Sequence, residues 1–403
     1  MTVPGYCANV HPGRTLQELR SQLDRHAVAT RRHLVERGCL SPSARLDVGL
    51  WFPSPALHEL QQEPDGAARL AEWLLERGLR VASFNGFPYG DFHAQQVKHA
   101  VYEPDWSRAE RLLHTQALAE VLAELRRRDP DGVRHGEIST VPLGWRPFLP
   151  ARGSGAGLGL AATHLRQLVH FLDRLESRTG VRVQVDLEPE PGCFLDLSSQ
   201  LCQWFDAAMP AGGHPDPRRY LGVCHDVCHA AVMWEPQDAL LRAYESAGVS
   251  VGKIQLSSAL ECGADSASVA ALAAFAEPRY LHQCVIRHPD GATRFVEDLP
   301  DLAAALAEAP APPGSRVRSH FHVPLGAAEV AARPGAPAVR TTTAEVTAAL
   351  RAAADLPTPP ILEVETYTWG VLPQQERPLA EGIAAEVAWA AAAARGAARE
   401  PAP

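Results

Sequence analysis

VQVDLEPEP, residues 183–191, is the stretch on which the fold turns. Val183, Val185 and Leu187 alternate with Gln184, Asp186 and Glu188, the period of two that a strand needs. Pro189 and Pro191 then end the ladder, because they have no N–H to give it. The alternation places Asp186, Glu188 and Glu190 on one side. Working outward from this strand, Val181 to Glu188, the amphipathic run Ala161 to Thr179 precedes it. The helix-patterned run Leu197 to Ala208 separates it from the next apolar run, Tyr220 to His225. A helix of that length between two strands is the crossover of a parallel sheet.

The same alternation repeats along the chain. Gly5 to Val10, Arg45 to Phe52, Arg80 to Asn85, Glu137 to Leu143 and Val249 to Leu256 read as further strands. Helical patterns lie at about Thr15 to Arg37, before Gly78, at Trp106 to Arg128 and at Pro236 to Ala247. Seven βα steps predict an α/β fold, a single (β/α)8 barrel. Two runs compete for the eighth strand, Arg316 to Val323 and Ile361 to Thr366. Ile361 to Thr366 is assigned to close the barrel. The region about 281–345, with a hairpin turn at Asp290-Gly291 and Pro/Ala-rich spacers, becomes an insertion on the rim. The barrel then occupies residues 1–373, and 374–403 form an Ala-rich helix and a disordered Pro/Ala tail.

Composition narrows the partners. A net charge of −9 with no concentrated Lys/Arg block argues against nucleic acid. No signal peptide and no long apolar span is visible, which predicts a cytoplasmic protein with no membrane insertion. The eight cysteines are too scattered for a disulfide scaffold. Cys224, Cys228 and His229 lack the second paired cluster of a structural zinc site.

In a parallel barrel the C-terminal strand ends converge on one mouth. Glu188 and Glu190 end one strand, and Glu363 and Glu365 share a side of another. Carboxylates withdrawn from water need a metal, an arginine or a shared proton, and a metal is the simplest compensation. Asp226 and His229 follow the sixth strand at Asp-x-x-His spacing, Gln255 ends the seventh, and His320 and His322 face one way if Arg316 to Val323 is extended. The metal ligands read from this are Glu188, Asp226, Gln255, His322 and Glu365, with Glu188 and Glu365 also catalytic. The set suits a divalent ion, Mn or Zn ahead of Mg or Co. Candidate ligand-binding residues are His229, His320, Glu190 and Glu363, with Asn9, His11, Asn85, Asp91, His93 and Trp145 around the rim. Trp51, Tyr89 and Trp145 offer rings for stacking on a sugar. Each residue also has a plainer reading: ion pairs for the glutamates, a helix cap for Asp226, core packing for the histidines and backbone pairing for Gln255.

The blocks GYCANVHPG (5–13), FNGFPYGDFHAQQVKHAVYEPDW (84–106), ISTVPLGW (138–145), LEPEPGC (187–193), HDVCHAAVMWE (225–235), QLSSALE (255–261), HFHVPL (320–325) and LEVETYTWGVLP (362–373) resemble the EboE family of metabolite traffic proteins. That family is similar in turn to the xylose-isomerase-like TIM barrels, which include sugar epimerases, inosose dehydratases and endonuclease IV. The resemblance implies a role in a gene cluster that makes or exports a secondary metabolite, with other proteins of that cluster as partners. In the epimerase pattern a Glu, an Asp-x-x-His, a His and a Glu follow strands five to eight. Glu188, Asp226 with His229, and Glu365 match it, and Gln255 stands where the epimerases carry His.

Three functions follow. The first is a metal-dependent isomerase, epimerase or dehydratase of a sugar, polyol or cyclitol, in which Glu188 and Glu365 move protons on opposite faces. The second is a non-catalytic metabolite-binding or delivery protein, favoured by Gln255. The third is an endonuclease IV-like metallophosphodiesterase, for which His320 and His322 would build a multi-metal centre and against which the acidic balance stands.

Overall fold

The structure is a computed structural model and describes residues 3–148, 156–370 and 377–397. Nine short strands form one curled, parallel sheet: β1 (Gly5–Cys7), β2 (Leu46–Gly49), β3 (Leu79–Arg80), β4 (Ser83–Asn85), β5 (His135–Thr140), β6 (Arg182–Leu187), β7 (Leu221–Asp226), β8 (Val251–Leu256) and, after a long excursion, a strand at Ile361–Val364. That last strand lies between β1 and β8, with Gly5 beside Glu363 and Glu363 beside Gln255. Val183, Val185 and Leu187 are fully buried, and the helix Ala156–Thr179 turns Leu165, Leu168, Val169 and Leu172 inward. Burying each such side chain is worth about 1.5–3 kcal/mol, which is what holds the helices on the sheet.

The regular closed barrel expected from the sequence is corrected here. The third strand breaks at Val81 and Ala82, so β3 and β4 stand at opposite ends of the strand order. Leu50, just after β2, bridges to β4: its N–H bonds Ser83 O at 3.1 Å and its carbonyl accepts from Asn85 N at 2.7 Å. The sheet is therefore a curled half-barrel in which β2 forms a ladder with β3 and meets β4 through the single bridge at Leu50.

Six further strands form an antiparallel sheet: β9 (Ser258–Gly263), β10 (Cys284–Arg287), β11 (Thr293–Val296), β12 (Arg316–Val323), β13 (Glu329–Ala331) and β14 (Ala338–Thr341). The order β11-β10-β12-β9-β14-β13 encloses its own core of Leu260, Leu272, Ile286, Leu302, Val317 and Phe321. Asp290 and Gly291 form the β10–β11 turn, with His288 N bonded to Ala292 O at 2.8 Å. This sheet starts at Ser258, two residues after β8 and well before residue 281. The strand at Ile361–Val364 is β15.

The C-terminal helix Leu379–Ala397 buries Ala384, Val387, Ala390 and Ala394 against the helices Val28–Glu36 and Thr343–Ala353. The tail at 398–403, expected to be disordered, lies outside the described residues. No helix among the described residues is long and apolar enough to cross a membrane.

Candidate functional site

The exits of β6, β7 and β15 bring Glu188, Asp226 and Glu365 together. One carboxylate oxygen of each lies within 4.8 Å of the others, and all three residues are buried. Asp226 takes its place as the cap of the short helix Val227–Val232, accepting from His229 N and from Ser257 Oγ, both at 2.9 Å. Capping and site membership are thus compatible for this residue. Glu365 Oε1 accepts from Asn9 Nδ2 at 2.7 Å and Asn85 Nδ2 at 2.9 Å, and the Gln255 amide N–H closes on Oε2. As oriented, Gln255 offers its nitrogen to Glu365 and Asp226 and turns Oε1 to the Cys224 thiol at 2.9 Å. It supports the carboxylates in this orientation and presents no oxygen to them.

Electrostatics separates the three acids. Burial pushes the Glu188 carboxyl up to about 7, an effect eased by the His229 imidazole. Burial, followed by the charges of Glu188 and Asp226, raises Glu365 well above the usual carboxylate range. Burial acts on Asp226 too, but the imidazoles of His229 and His322, the His229 N–H and the Ser257 hydroxyl outweigh it and hold Asp226 below its ordinary value. Glu188 Oε2 is buried and has no hydrogen-bond partner.

A second group of side chains enters from β12. His320 and His322 sit where the β12–β9 register shifts between Ser319 and Val323, so neither is committed to that ladder. Their Nε2 atoms are 2.9 Å apart, and His229 Nε2 lies 3.2 Å from His320 Nε2. His322 Nδ1 is also 3.5 Å from Glu365 Oε2. Glu190, two residues beyond Glu188, accepts from Tyr102 Oη at 2.7 Å and Gln283 Nε2 at 3.1 Å.

These groups floor a pocket roofed by Phe87, Phe92, Val101, Tyr280 and Tyr367. Phe92, Tyr280 and Tyr367 pack as a triad with ring centroids 5.0–5.1 Å apart. Glu386 on the C-terminal helix pins the segments that leave the site. It accepts from Leu325 N at 2.8 Å, Thr366 Oγ1 at 2.9 Å and Trp369 Nε1 at 2.8 Å.

Other residues expected at the mouth lie elsewhere. His11 turns away to Tyr6 Oη at 3.0 Å and stacks on His26, because the 3-10 turn Ala8–Val10 directs Asn9 and His11 to different sides. Asp91 bonds His93 N and pairs with Arg14 at 3.7 Å. His93 supports the site indirectly, with Nε2 2.7 Å from Asn9 O. Trp145 stacks on Tyr102 at 4.9 Å, behind the pocket wall, and Tyr89 packs on His114. Trp51 is buried against Phe92 and His93. Glu363 lies one layer deeper, paired with Lys253 Nζ at 3.3 Å and Ser83 Oγ at 2.5 Å. Tyr102, Gln283 and Tyr367 join the site without having been expected there. Of these only Tyr367, two residues past Glu365, carried a signal in the alternation.

No family model matches the chain, and no curated protein matches it. Solved structures similar in fold include a xylose isomerase domain protein from Alicyclobacillus acidocaldarius subsp. acidocaldarius, 14% identical over 98% of this chain and 99% of that one, with a TM-score of 0.46. A D-tagatose 3-epimerase-like protein is 14% identical over 62% of this chain and 74% of that one, with a TM-score of 0.38. An AP endonuclease, family 2, from Brucella melitensis is 17% identical over 62% and 78%, with a TM-score of 0.37.

Proposed function

We propose that this chain is a divalent-metal-dependent enzyme that isomerises, epimerises or dehydrates a small polyhydroxy compound of the sugar or cyclitol kind, with Glu188, Asp226 and Glu365 as ligands. The observation that carries this reading is Glu188 Oε2, a buried carboxylate oxygen with no partner, beside two further buried acids. The lysine nearest in the interior, Lys253, is committed to Glu363, so a bound cation is the fitting counter-charge. An oxygen-rich set with imidazoles beside it suits Mn or Zn, then Mg or Co.

When bound, the ion would supply a Lewis acid for two adjacent oxygens of the ligand. Glu188 would move a proton of the ligand from the carboxylate oxygen that the ion leaves free. Glu365, held through Oε1 by Asn9 and Asn85, would serve the opposite face from Oε2. His229 would hold a ligand hydroxyl, and the aromatic side chains that line the pocket would pack against the carbon face of the ligand. The finer identity in this proposal is an EboE-like cytoplasmic protein of a metabolite gene cluster, working beside other proteins of that cluster. Its support is the set of sequence blocks from residue 5 to 373.

Gln255, standing where the epimerases carry His, favours a second reading as a non-catalytic metabolite-binding protein. The test is metal content of protein purified without a metal-binding tag, for wild type and the Glu188→Gln, Glu365→Gln double variant. It is followed by deuterium uptake from D2O into a panel of ketoses and inososes. Metal lost in the variant, with deuterium uptake by wild type, supports the enzyme. Metal without any uptake moves the binding reading to first place. A wild type free of metal after dialysis against Mn and Zn overturns the proposed centre.

A further inference from the structure

Away from the mouth, the antiparallel sheet carries a cluster of arginines on one face. Alternation along β12 sends Val317 into the core of that sheet and Arg316 and Arg318 to the opposite face. Arg318, Glu261, Arg340 and Glu329 lie side by side across β12, β9, β14 and β13, so this row alternates in sign and balances itself. The next row does not. Arg287 on β10 stands directly opposite Arg316 on β12, and the neighbour of Arg316 on β9 is Gly263, which brings no charge. Like charges directly opposite each other on paired strands destabilise a sheet.

Counter-charge for this second row is scarce. Glu261 is shared among Arg316, Arg318 at 2.7 Å and Arg340 at 3.4 Å, and Glu345 pairs with Arg318 at 3.0 Å. Arg316 Nε has no acceptor. Arg287 is exposed and makes no ion pair among the described residues; what it meets is the Trp234 ring, 5.4 Å from its guanidinium carbon. The same ring lies 3.9 Å from the guanidinium carbon of Arg318 and 5.9 Å from that of Arg316. An aromatic face attracts these cations without neutralising them.

The backbone holds Trp234 there against its preference. After the cap Met233, Trp234 N bonds Ala231 O and Glu235 N bonds Ala230 O, both at 3.0 Å, which closes the helix Val227–Val232 with Trp234 at φ +60°. Glycine is the usual residue at this left-handed closing position, and a bulky side chain there is strained. Strain of this kind gathers at ligand sites. Arg318 fixes the ring and is itself fully engaged, by Glu261, by Glu345 and by the Ala231 carbonyl at 2.8 Å. The donors left open are those of Arg287 and Arg316.

We propose that Arg287 and Arg316, backed by Trp234, form a binding site for one tetrahedral oxyanion, a phosphate monoester or free phosphate. Side chains directly opposite on paired strands start about 4.5–5.5 Å apart, so two guanidinium forks can close on one such anion from two sides. The anion supplies the negative charge that the row lacks. None of the three residues lines the pocket at the mouth, and the site does not depend on the metal reading.

Isothermal titration of the full chain with orthophosphate and with glycerol phosphate, in a chelator and at fixed ionic strength, reads the site directly. Wild type is expected to bind phosphate, and Arg287→Thr to bind it about 10-fold or more weakly. In phosphate-free buffer of low salt the same variant is expected to melt no lower than wild type, because it loses one member of a like-charge pair. Tighter binding of the ester supports an organic phosphate as the ligand, and tighter binding of orthophosphate supports the free ion. Absence of binding by wild type, or binding that both Arg287→Thr and Arg316→Gln leave intact, overturns the proposal. A marked drop in the melting temperature of Arg287→Thr also overturns it, since Arg287 would then already have its counter-charge within the chain.

Discussion

Glu386 offers a measurement whose magnitude follows from the structure. Its carboxyl is fully enclosed and meets three donors, yet burial pushes it up to about 7 against an ordinary 4.5. A raised carboxyl binds its proton more tightly in the folded chain, so stability falls as pH rises from the unfolded value through the folded one. With those two values, ionisation costs about 1 kcal/mol at pH 5 and about 3 kcal/mol at pH 8. Glu386→Gln removes the titration but points an amide N–H at one of the donors, at a penalty of about 1–3 kcal/mol. That penalty is the same at both pH values and cancels in the comparison. The expected outcome is that the variant, relative to wild type, gains about 2–3 kcal/mol between pH 5 and pH 8. Urea unfolding followed by circular dichroism, in the presence of a chelator, measures it. A stability difference between the two proteins that does not change with pH refutes the reasoning, whatever its absolute size.

Lys253→Met should destabilise by about 3–5 kcal/mol, because Glu363 is left buried without its cation, and adding Glu363→Gln should recover most of that. A single variant as stable as wild type in thermal unfolding would count against the pair. Gln255→Leu should weaken metal binding about 10–100-fold, as loss of an outer support does, and complete loss in a titration would instead make Gln255 a ligand. Gly192 has φ +86°, and a Cβ there would lie 2.4 Å from the Trp145 ring, so Gly192→Ala should cost about 2–5 kcal/mol and alter the near-ultraviolet dichroism of Trp145. An unchanged spectrum and melting point would contradict that.

The barrel strands were legible because each is a short apolar run closed by polar residues, and Arg316–Val323 could be read to the residue. The antiparallel sheet was not. Its first strand, SALECG at 258–263, lacks a clean alternation and follows β8 after one residue, so nothing local separates it from the barrel. The spacing of His320 and His322 shows that they share a side, but which sheet they face depends on strand pairing, which is not a local property. Glu363 and Glu365 likewise share a side. Register sets Ile361 beside Lys253 and Glu363 beside Gln255, so Glu363 falls within reach of Lys253 while Glu365 reaches the mouth. Depth along a strand becomes visible only once its neighbours are known. Gln283 had no sequence signal at all, since one amide in a loop looks like any other.

The position of β15 between β1 and β8 bears on how the chain is made. During synthesis β1 emerges first, yet its neighbour on one side is the last strand of the sheet. Until Ile361 has left the ribosome, Gly5–Cys7 and Val251–Leu256 each present a bare strand edge, the kind of surface that pairs with other chains. A nascent chain halted before that point has the antiparallel sheet and both histidines of β12 but two open seams. Folding of this half-barrel is therefore completed from its C-terminal end.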